Sequence, residues 1–274
     1  MVTVPKFVDS TISVFLIAWI RFFSAGVILV PVVAVVRPQR SSNSPSWYFY
    51  SARCVLGISV LCLSVFAINN APVFLVQIIL MTNGVFTILL GNMFSVEKSK
   101  MSSFLPVMII VLGGCLTTVD HSRSLATFVI QSDQLLGVLA AFIASIGWGA
   151  EVLITRSLAQ RDHPLRIVTM VAWLSMLLVT PIMLFSNSNI SLVEIILLSS
   201  MGLLAAAGQL SSATALAKIS AAKATPYRYT SVLFGLLFSV IIFNEYPNSF
   251  QTFGSIIILI TIIISSRQWN RTKP

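Results

Sequence analysis

Nine long runs of apolar residues, separated by short polar stretches, constrain this chain more than any other feature. Each run has roughly the length of about 20 residues that an α-helix needs to cross the hydrocarbon core of a bilayer. Inside lipid only α-helices and closed β-barrels satisfy all their backbone hydrogen bonds, and continuous apolar runs favour helices. The sequence therefore predicts an all-α, polytopic membrane protein with about nine transmembrane helices, at residues 12–36, 49–69, 72–94, 101–119, 135–155, 167–185, 192–216, 226–243 and 250–266.

The composition supports this class and excludes an ordinary soluble domain. Charged residues make up 9% of the chain and hydrophobic residues 57%, whereas about a quarter of the residues are charged in a typical soluble protein. The net charge of +9 does not indicate nucleic acid as a partner, because the sequence has no basic motif of a nucleic-acid-binding fold. We expect a small-molecule substrate and the lipid bilayer as partners, and a homodimer is left open.

The basic residues follow the alternation of loops that a membrane topology imposes. One set of alternate loops contains thirteen of the seventeen lysines and arginines, and the opposite set contains only Lys6 and Arg123. The larger set consists of Arg37, Arg40, Arg53, Lys98, Lys100, Arg156, Arg161, Arg166, Lys218, Lys223, Arg267, Arg271 and Lys273. Since basic loops stay on the cytoplasmic side, we predict a multi-pass protein of the cell inner membrane with a cytoplasmic C-terminus and an external N-terminus.

Residues for catalysis or metal binding are scarce. Cys54, Cys62 and Cys115 lie inside apolar runs and form no C-x-x-C pair, which is typical of packing residues. His121 and His163 lie in loops without a second ligand one helical turn away. A membrane enzyme would need clustered His, Asp, Glu or Cys residues. We therefore predict that the chain is not an enzyme and has no catalytic residues, no metal site and no cofactor.

A weak internal repeat divides the chain into two halves. Glu97 and Glu245 each end an apolar run and open a polar turn, and they are 148 positions apart. Residues 67–71 and 217–221 close the preceding runs and are 150 positions apart. The charge distribution puts the two glutamate turns on opposite sides, which indicates inverted repeats as in many secondary transporters. The predicted repeats are one of four helices at 12–119 and one of five helices at 135–266.

Arg228 is the first candidate for a binding residue, because it lies between two tyrosines at the start of an otherwise uncharged apolar run. A charged side chain within a membrane segment is costly and marks a functional site by default. Its guanidinium would pair bidentately with a carboxylate or phosphate. The alternative is a structural arginine that reaches the cytoplasmic headgroups. Tyr227 and Tyr229 cannot both share its helix face, but either would border a cavity with a ring or a hydroxyl.

Other polar and aromatic residues lie within the apolar runs. Glu151 would relay protons or bind a cationic group, or alternatively pair with Arg156. Arg21 is either a cavity residue or a structural partner between helices. Trp148 would stack on a planar ring or anchor a helix end, and Gln77 would line a cavity or bond between helices. The candidates for substrate binding are therefore Arg228, Tyr227, Tyr229, Glu151, Trp148, Gln77 and Arg21.

The run at 192–216 contains many small residues. Gly208 and Ser212 are four positions apart and would lie on one face of a helix. Small residues at this spacing allow helices to approach closely in membranes. We therefore predict that this part of the run packs against another helix and does not bind substrate.

The residues around Arg228 carry a resemblance to a known family. Residues 224–229 read Ala-Thr-Pro-Tyr-Arg-Tyr and residues 243–247 read Phe-Asn-Glu-Tyr-Pro. This stretch resembles the C-terminal helix pair of the drug/metabolite transporter superfamily, EamA-type, and is most similar to the S-adenosylmethionine uptake transporters of intracellular bacteria. The resemblance implies a fold of ten helices in two halves of five. The run at 12–36 resembles the second helix of that fold, so the first helix is expected to be missing.

The resemblance also implies a function, namely a secondary transporter that takes up or exchanges S-adenosylmethionine. In this scheme Arg228 binds the substrate carboxylate and Glu151 offsets the cationic end. Tyr227, Tyr229 or Trp148 would border the adenine. Two alternatives stay open: an EamA-type exporter of amino acids or drugs, and a truncated membrane protein that does not transport.

Overall fold

The computed structural model describes residues 13–38, 47–71, 73–94, 104–118, 134–184, 191–243 and 247–271. All regular secondary structure in these ranges is helical, which confirms the predicted all-α class. The helices are α1 (Val14–Val36), α2 (Trp47–Asn70), α3 (Val73–Met81), α4 (Asn83–Met93), α5 (Phe104–Thr118), α6 (Leu135–Ala159), α7 (Pro164–Leu184), α8 (Leu192–Lys218), α9 (Ala221–Arg228), α10 (Thr230–Phe243) and α11 (Ser249–Arg271).

Six helical stretches in the described part of the chain are long and apolar enough to cross a membrane. They are Val14–Val36, Trp47–Asn70, Leu75–Met93, Leu135–Ala159, Pro164–Leu184 and Leu192–Lys218. Two shorter apolar helices cover Phe104–Leu116 and Ser249–Ile264. Large aliphatic and aromatic side chains are exposed along most of these helices, as expected of surfaces that face hydrocarbon. The protein is therefore a polytopic membrane protein.

Two of the predicted helices are interrupted, which the apolar pattern did not reveal. The predicted helix at 72–94 is divided at Thr82 into α3 and α4, and the predicted helix at 226–243 is divided at Tyr229 into α9 and α10. At the first interruption the amide of Thr82 bonds to the carbonyl of Ile79, a tighter turn than in an α-helix. Short polar stretches, at 82–83 and 228–231, lie at the two interruptions, but each is too short to divide a run of this length in the apolar pattern.

The predicted start of the second interrupted helix at Pro226 is wrong. Helix α9 begins five residues earlier, at Ala221, and Pro226 lies inside it. The hydroxyl of Ser220 accepts a hydrogen bond of 3.4 Å from the amide of Lys223 and caps the helix. Serine is among the preferred residues at this position. Pro226 lacks the N–H that would bond to the carbonyl of Ala222, and α9 ends two residues after it, at Arg228.

The helix ends repeat along the chain. Helices α1 and α7 end at 36 and 184, and helices α2 and α8 end at 70 and 218, so that each pair differs by 148 residues. Helices α3 and α9 begin at 73 and 221, again 148 residues apart. The two interruptions, at Thr82 and Tyr229, are 147 apart. The chain thus contains two structural repeats, and each repeat includes one interrupted helix.

The described residues form two compact units, each of which combines parts of both repeats. Unit 1 comprises Met1–Cys62 and Ile154–Lys218, and unit 2 comprises Leu63–Leu153 and Ile219–Pro274. Helices α2 and α6 therefore contribute residues to both units. The repeats follow chain order, whereas the units follow packing, so the boundaries predicted for the repeats stay a prediction.

In unit 1, helix α1 packs against α7 and α8. Small and branched side chains fill the contact, among them Ala25, Leu29 and Ala172. Helix α8 approaches α1 closely at Gly202, where an added Cβ would lie 2.8 Å from the backbone oxygen of Arg21. The equivalent helices of the two repeats, α1 and α7, therefore pack directly on each other.

In unit 2, helices α5 and α11 form the corresponding pair of equivalent helices. Their backbones approach at Gly113, where a Cβ would lie 3.0 Å from the carbonyl oxygen of Gly254. Ile110 and Ile258 are fully buried in the same cluster, together with Tyr229 from the interruption between α9 and α10. This packing fixes the second interrupted helix against α5 and α11.

Helix α6 presents a row of small residues with a spacing of four to the end of α2 and to the interrupted helix formed by α3 and α4. Gly137 leaves no room for a side chain beside Ala71, and Ala141 is buried in a cluster with Val76. At Gly149 an added Cβ would lie 2.9 Å from the backbone nitrogen of Thr87 in α4. Such rows allow helices to pack closely within a membrane, where dispersion contacts replace the hydrophobic effect. The row consists of Gly137, Ala141, Ser145 and Gly149.

The close packing predicted at Gly208 on α8 is wrong. Gly208 is exposed, and among the described residues no atom lies within 4 Å of the position of an added Cβ. The buried face of α8 instead carries Leu198, Gly202 and Ala206. Because spacing alone does not say which face of an apolar helix meets a neighbour, the two glycines could not be distinguished from the sequence.

Gly149 and Gly208 provide a matched pair for testing the packing of α6. We expect Gly149→Ala to lower the free energy of unfolding by about 1–3 kcal/mol, because the added methyl group overlaps the backbone of α4. Gly208→Ala is expected to leave stability unchanged or to raise it by up to about 1 kcal/mol, because alanine favours the helix. Thermal and denaturant unfolding in detergent micelles measures both. Equal stability of the two variants would contradict the packing described for α6.

Candidate functional site

The two interrupted helices of unit 2 cross at their interruptions. The hydroxyl of Tyr229 donates a hydrogen bond to the carbonyl oxygen of Met81, the last residue of α3. The amide of Val85, which would bond to Met81 in a continuous helix, bonds instead to Thr82 at 2.9 Å. In lipid an unsatisfied carbonyl costs several kcal/mol. The hydroxyl of Tyr229 therefore donates to the carbonyl oxygen of Met81, which the interruption between α3 and α4 deprives of its helical donor.

Gly84 allows α4 and α9 to approach each other beside this hydrogen bond. A Cβ at Gly84 would lie 2.5 Å from Cγ2 of Thr225 and 2.6 Å from the hydroxyl oxygen of Tyr229. Neither group can move easily, because the side chain of Thr225 is stiff and the hydroxyl of Tyr229 is hydrogen-bonded. Only glycine fits at this position without displacing the crossing.

The first interruption is also tied to α6. The hydroxyls of Thr82 and Ser145 share a hydrogen bond with an oxygen–oxygen distance of 2.9 Å. Ser145 is completely buried, and the Thr82 hydroxyl also donates to the carbonyl of Ile79 at 2.6 Å. This hydrogen bond and the close approach at Gly149 together fix α6 against α4. Trp148 lies on α6 about one turn after Ser145.

Arg228 and Trp148 are brought together at this crossing. The guanidinium carbon of Arg228 lies 5.6 Å from the centroid of the Trp148 ring. Both residues are half-buried, and the Nη1 atom of Arg228 is fully buried. A cation over a tryptophan face is worth about 0.5–2 kcal/mol, depending on its desolvation. The contact fixes the guanidinium at the last residue of α9, directly before the interruption at Tyr229.

Glu151 adds a carboxylate near this pair. It follows Trp148 by three positions on α6, and residues at this spacing are neighbours on a helix surface. Glu151 is half-buried and has an interaction partner in the structure. A cation, an aromatic ring and a carboxylate thus lie within about one turn of α6. Such a set can recognise a zwitterion, because it offers both signs of charge and a planar surface.

The remaining candidates from the sequence have different surroundings. Tyr229 is 6% exposed and belongs to the packed crossing, whereas Tyr227 is 37% exposed. Gln77 is half-buried on α3 of unit 2. Arg21 belongs to unit 1, where its guanidinium carbon lies 5.9 Å from the ring centroid of Phe22. Binding of a substrate by any of these residues stays a prediction.

The sequence analysis missed Met81, Thr82, Gly84 and Ser145, although one signal pointed to the first interruption. The offset of 148 residues between the repeats makes Met81 equivalent to Tyr229. A polar residue flagged in the second repeat thus has its counterpart at the first interruption. By contrast, no pattern in the sequence connects Ser145 to Thr82, because their contact depends on the packing of α6.

Comparison with known proteins agrees with this architecture. The EamA-like transporter family matches residues 1–119 and 135–267. This chain belongs to the EamA-like transporter family, whose members are membrane transporters. No curated protein matches the sequence significantly.

The fold also matches solved structures, including 28 chains with significant similarity. One crystal structure superposes with a TM-score of 0.78 at 12% sequence identity, covering 94% of this chain and 90% of the other. At this low identity the similarity concerns the fold alone. It therefore supports the helical architecture but carries no information about the substrate.

Tyr229 and Tyr227 provide a matched test of the crossing. We expect Tyr229→Phe to lower the free energy of unfolding by about 1–3 kcal/mol, because it leaves the buried carbonyl of Met81 without its donor. Tyr227→Phe removes the same hydroxyl from an exposed ring and is expected to change stability by less than about 0.5 kcal/mol. Thermal unfolding of both variants in the same detergent compares them. An equal effect would contradict the assigned role of the Tyr229 hydroxyl.

Proposed function

We propose that this protein is a secondary transporter of a small polar metabolite that carries a carboxylate, with S-adenosylmethionine as the specific candidate. Membership of the EamA-like transporter family supports transport in general. The substrate follows from the resemblance of residues 224–229 and 243–247 and from the chemistry of the residues around Arg228. Uptake or exchange is proposed as the mode of transport.

The contact between Arg228 and Trp148 is the observation on which the proposal rests. The guanidinium lies 5.6 Å from the ring centroid, so it is held in one orientation, and a guanidinium is the side-chain group that pairs with a carboxylate in a bidentate manner. A half-buried site strengthens such a pair, because the effective dielectric constant is lower than in water. We assign the substrate carboxylate to Arg228.

The other substrate groups are assigned by their chemistry. Glu151 would offset the positive sulfonium, since the carboxylate lies one turn along α6 from Trp148. The Trp148 ring, and the exposed ring of Tyr227, would border the adenine. Gln77 would offer an amide to the polar edge of the substrate. Arg21, which belongs to the other compact unit, stays a proposed cavity residue, with a structural role between helices as the alternative.

The interrupted helices support transport by alternating access. In many secondary transporters, discontinuous helices of inverted repeats form the substrate site and change conformation during transport. Here Arg228 directly precedes the interruption at Tyr229, so the proposed binding residue and the interruption are neighbours in the chain. We further propose the repeat boundaries 12–119 and 135–266, which the constant offset of the helix ends supports. We also propose an inner-membrane location with a cytoplasmic C-terminus, and the basic loops support this orientation.

Transport of labelled S-adenosylmethionine into cells that express the chain tests the proposal. We expect saturable uptake, and Arg228→Ala is expected to lower kcat/KM at least about tenfold, because a charged hydrogen-bonding pair contributes about 1.5–3 kcal/mol. Arg228→Lys keeps the charge but not the fork of N–H groups and is expected to recover only part of the activity. Lys223→Ala, an exposed position on the same helix, is the matched control and should transport as the wild type.

The possible outcomes distinguish an error in the proposed substrate from an error in the proposed transport function. Absence of uptake by a correctly inserted wild-type protein, together with efflux of amino acids or drugs, would contradict S-adenosylmethionine uptake and favour an exporter. Uptake that Arg228→Ala and Lys223→Ala lower equally would contradict the assigned binding residue. Neither uptake nor efflux of any tested metabolite would favour a protein that does not transport.

A further inference from the structure

The start of α2 and the turn between α6 and α7 form one surface at an end of unit 1. The hydroxyl of Tyr50 donates a hydrogen bond of 2.7 Å to the carboxylate of Asp162, and this bond is buried. One turn further along α2, Nε of Arg53 donates to the hydroxyl of Thr155 at 2.7 Å. These two buried bonds hold the first turns of α2 against the end of α6, so the surface is rigid.

The negative charge at this surface is hidden and the positive charge is exposed. The side chain of Asp162 is only 1% exposed and lies 3.5 Å from Nε of Arg166, whose side chain is 24% exposed. The Asp162 carboxylate also accepts from the amide of His163 at 2.8 Å. Arg161 is exposed, and its guanidinium carbon lies 6.0 Å from the ring centroid of Phe49. An approaching ligand therefore meets two arginines.

Three consecutive aromatic side chains border the two arginines. Trp47 is 77% exposed, Tyr48 is 69% exposed and Phe49 is 37% exposed, all in the first turn of α2. Large rings exposed at a helix end are unfavourable in water, but they are typical of the depth of lipid headgroups in a membrane protein. The rings and the two arginines together form the aromatic–arginine patch, which comprises Trp47, Tyr48, Phe49, Arg161 and Arg166.

Other helix ends of unit 1 bring further positive charge to the same end. The packing of Leu29 and Val33 near Leu165 and Ala213 places the end of α1 beside the start of α7 and the end of α8. Arg156 donates a hydrogen bond to the carbonyl of Leu216 in the last turn of α8. Several basic residues that the sequence assigns to one set of loops therefore lie at one end of this unit.

We propose that the aromatic–arginine patch binds the phosphate headgroup of an anionic phospholipid. Arg161 and Arg166 would hold the phosphate through charge-assisted hydrogen bonds. Trp47, Tyr48 and Phe49 would pack on the glycerol and upper acyl region, which a soluble anion lacks. This second requirement distinguishes a lipid from free phosphate. The proposal is independent of the transported substrate. The patch belongs to unit 1 and contains none of the residues that are proposed to bind the substrate.

Lipid-dependent thermal stability of the purified full-length protein tests the proposal. Detergent-solubilised protein is titrated with phosphatidylglycerol or with phosphatidylcholine of the same acyl chains, and the rise of Tm is recorded. We expect phosphatidylglycerol to raise Tm at lower concentration than phosphatidylcholine. Arg161→Gln is expected to increase the half-maximal phosphatidylglycerol concentration about fivefold, the effect of one basic residue near an anionic surface.

Two further variants keep the test specific. Lys223→Gln removes one charge from an exposed lysine in the other unit and is expected to respond to phosphatidylglycerol as the wild type. Trp47→Leu keeps the charge but removes an exposed ring and is expected to weaken the response about threefold. Inorganic phosphate at the same concentration is expected to leave Tm unchanged.

Four outcomes would overturn the proposal. The first is an equal response to phosphatidylcholine and phosphatidylglycerol, and the second is an Arg161→Gln variant that responds as Lys223→Gln does. The third is a Tm rise of equal size with inorganic phosphate, which would indicate a site for a small anion. The fourth is a Trp47→Leu variant with an undiminished response, which would remove the aromatic part of the site.

Discussion

The hydrogen bond from Tyr229 to the carbonyl of Met81 is the contact on which the second compact unit depends. An interrupted helix inside a membrane leaves backbone groups without partners, and the surrounding lipid offers none. Here Tyr229, at the second interruption, supplies the donor for the carbonyl of Met81 at the first, so the first interruption is tolerated because the second is present. Gly84 permits the close approach that this bond requires, and Ser145 fixes the third helix at the same level.

The repeat explains why the contact involves these two residues. Met81 and Tyr229 are 148 residues apart, the same offset as the helix ends of the two repeats. Equivalent elements also pack on each other within each unit, namely α1 on α7 and α5 on α11. Met81 and Tyr229 are equivalent residues of the two repeats, and they too contact each other. The two repeats are not identical there, because only the second provides a side-chain donor.

The sequence predicted much of the fold and part of the candidate site. Long apolar runs were sufficient for the helices, since length and hydrophobicity are properties of a segment alone. Arg228 and Trp148 were recognised as unusual residues in apolar runs, but their contact depends on the packing of α9 on α6, which no local pattern contains. The start of α9 at Ala221 was missed because the run around Lys223 is polar, although Ser220 is a good cap. Gly149 and Gly208 look alike in the sequence and differ only in what faces them.

The row of small residues on α6 sets different limits on the two sides of this helix. On one side Gly137 and Gly149 touch backbone atoms of neighbouring elements. On the other side Leu139 and Ile143 are about half exposed, and many apolar side chains would serve equally well there. Tolerance of α6 to substitution should therefore rise and fall with the period of the helix, so that even a single added methyl group is restricted on one face while whole side chains are exchangeable on the other.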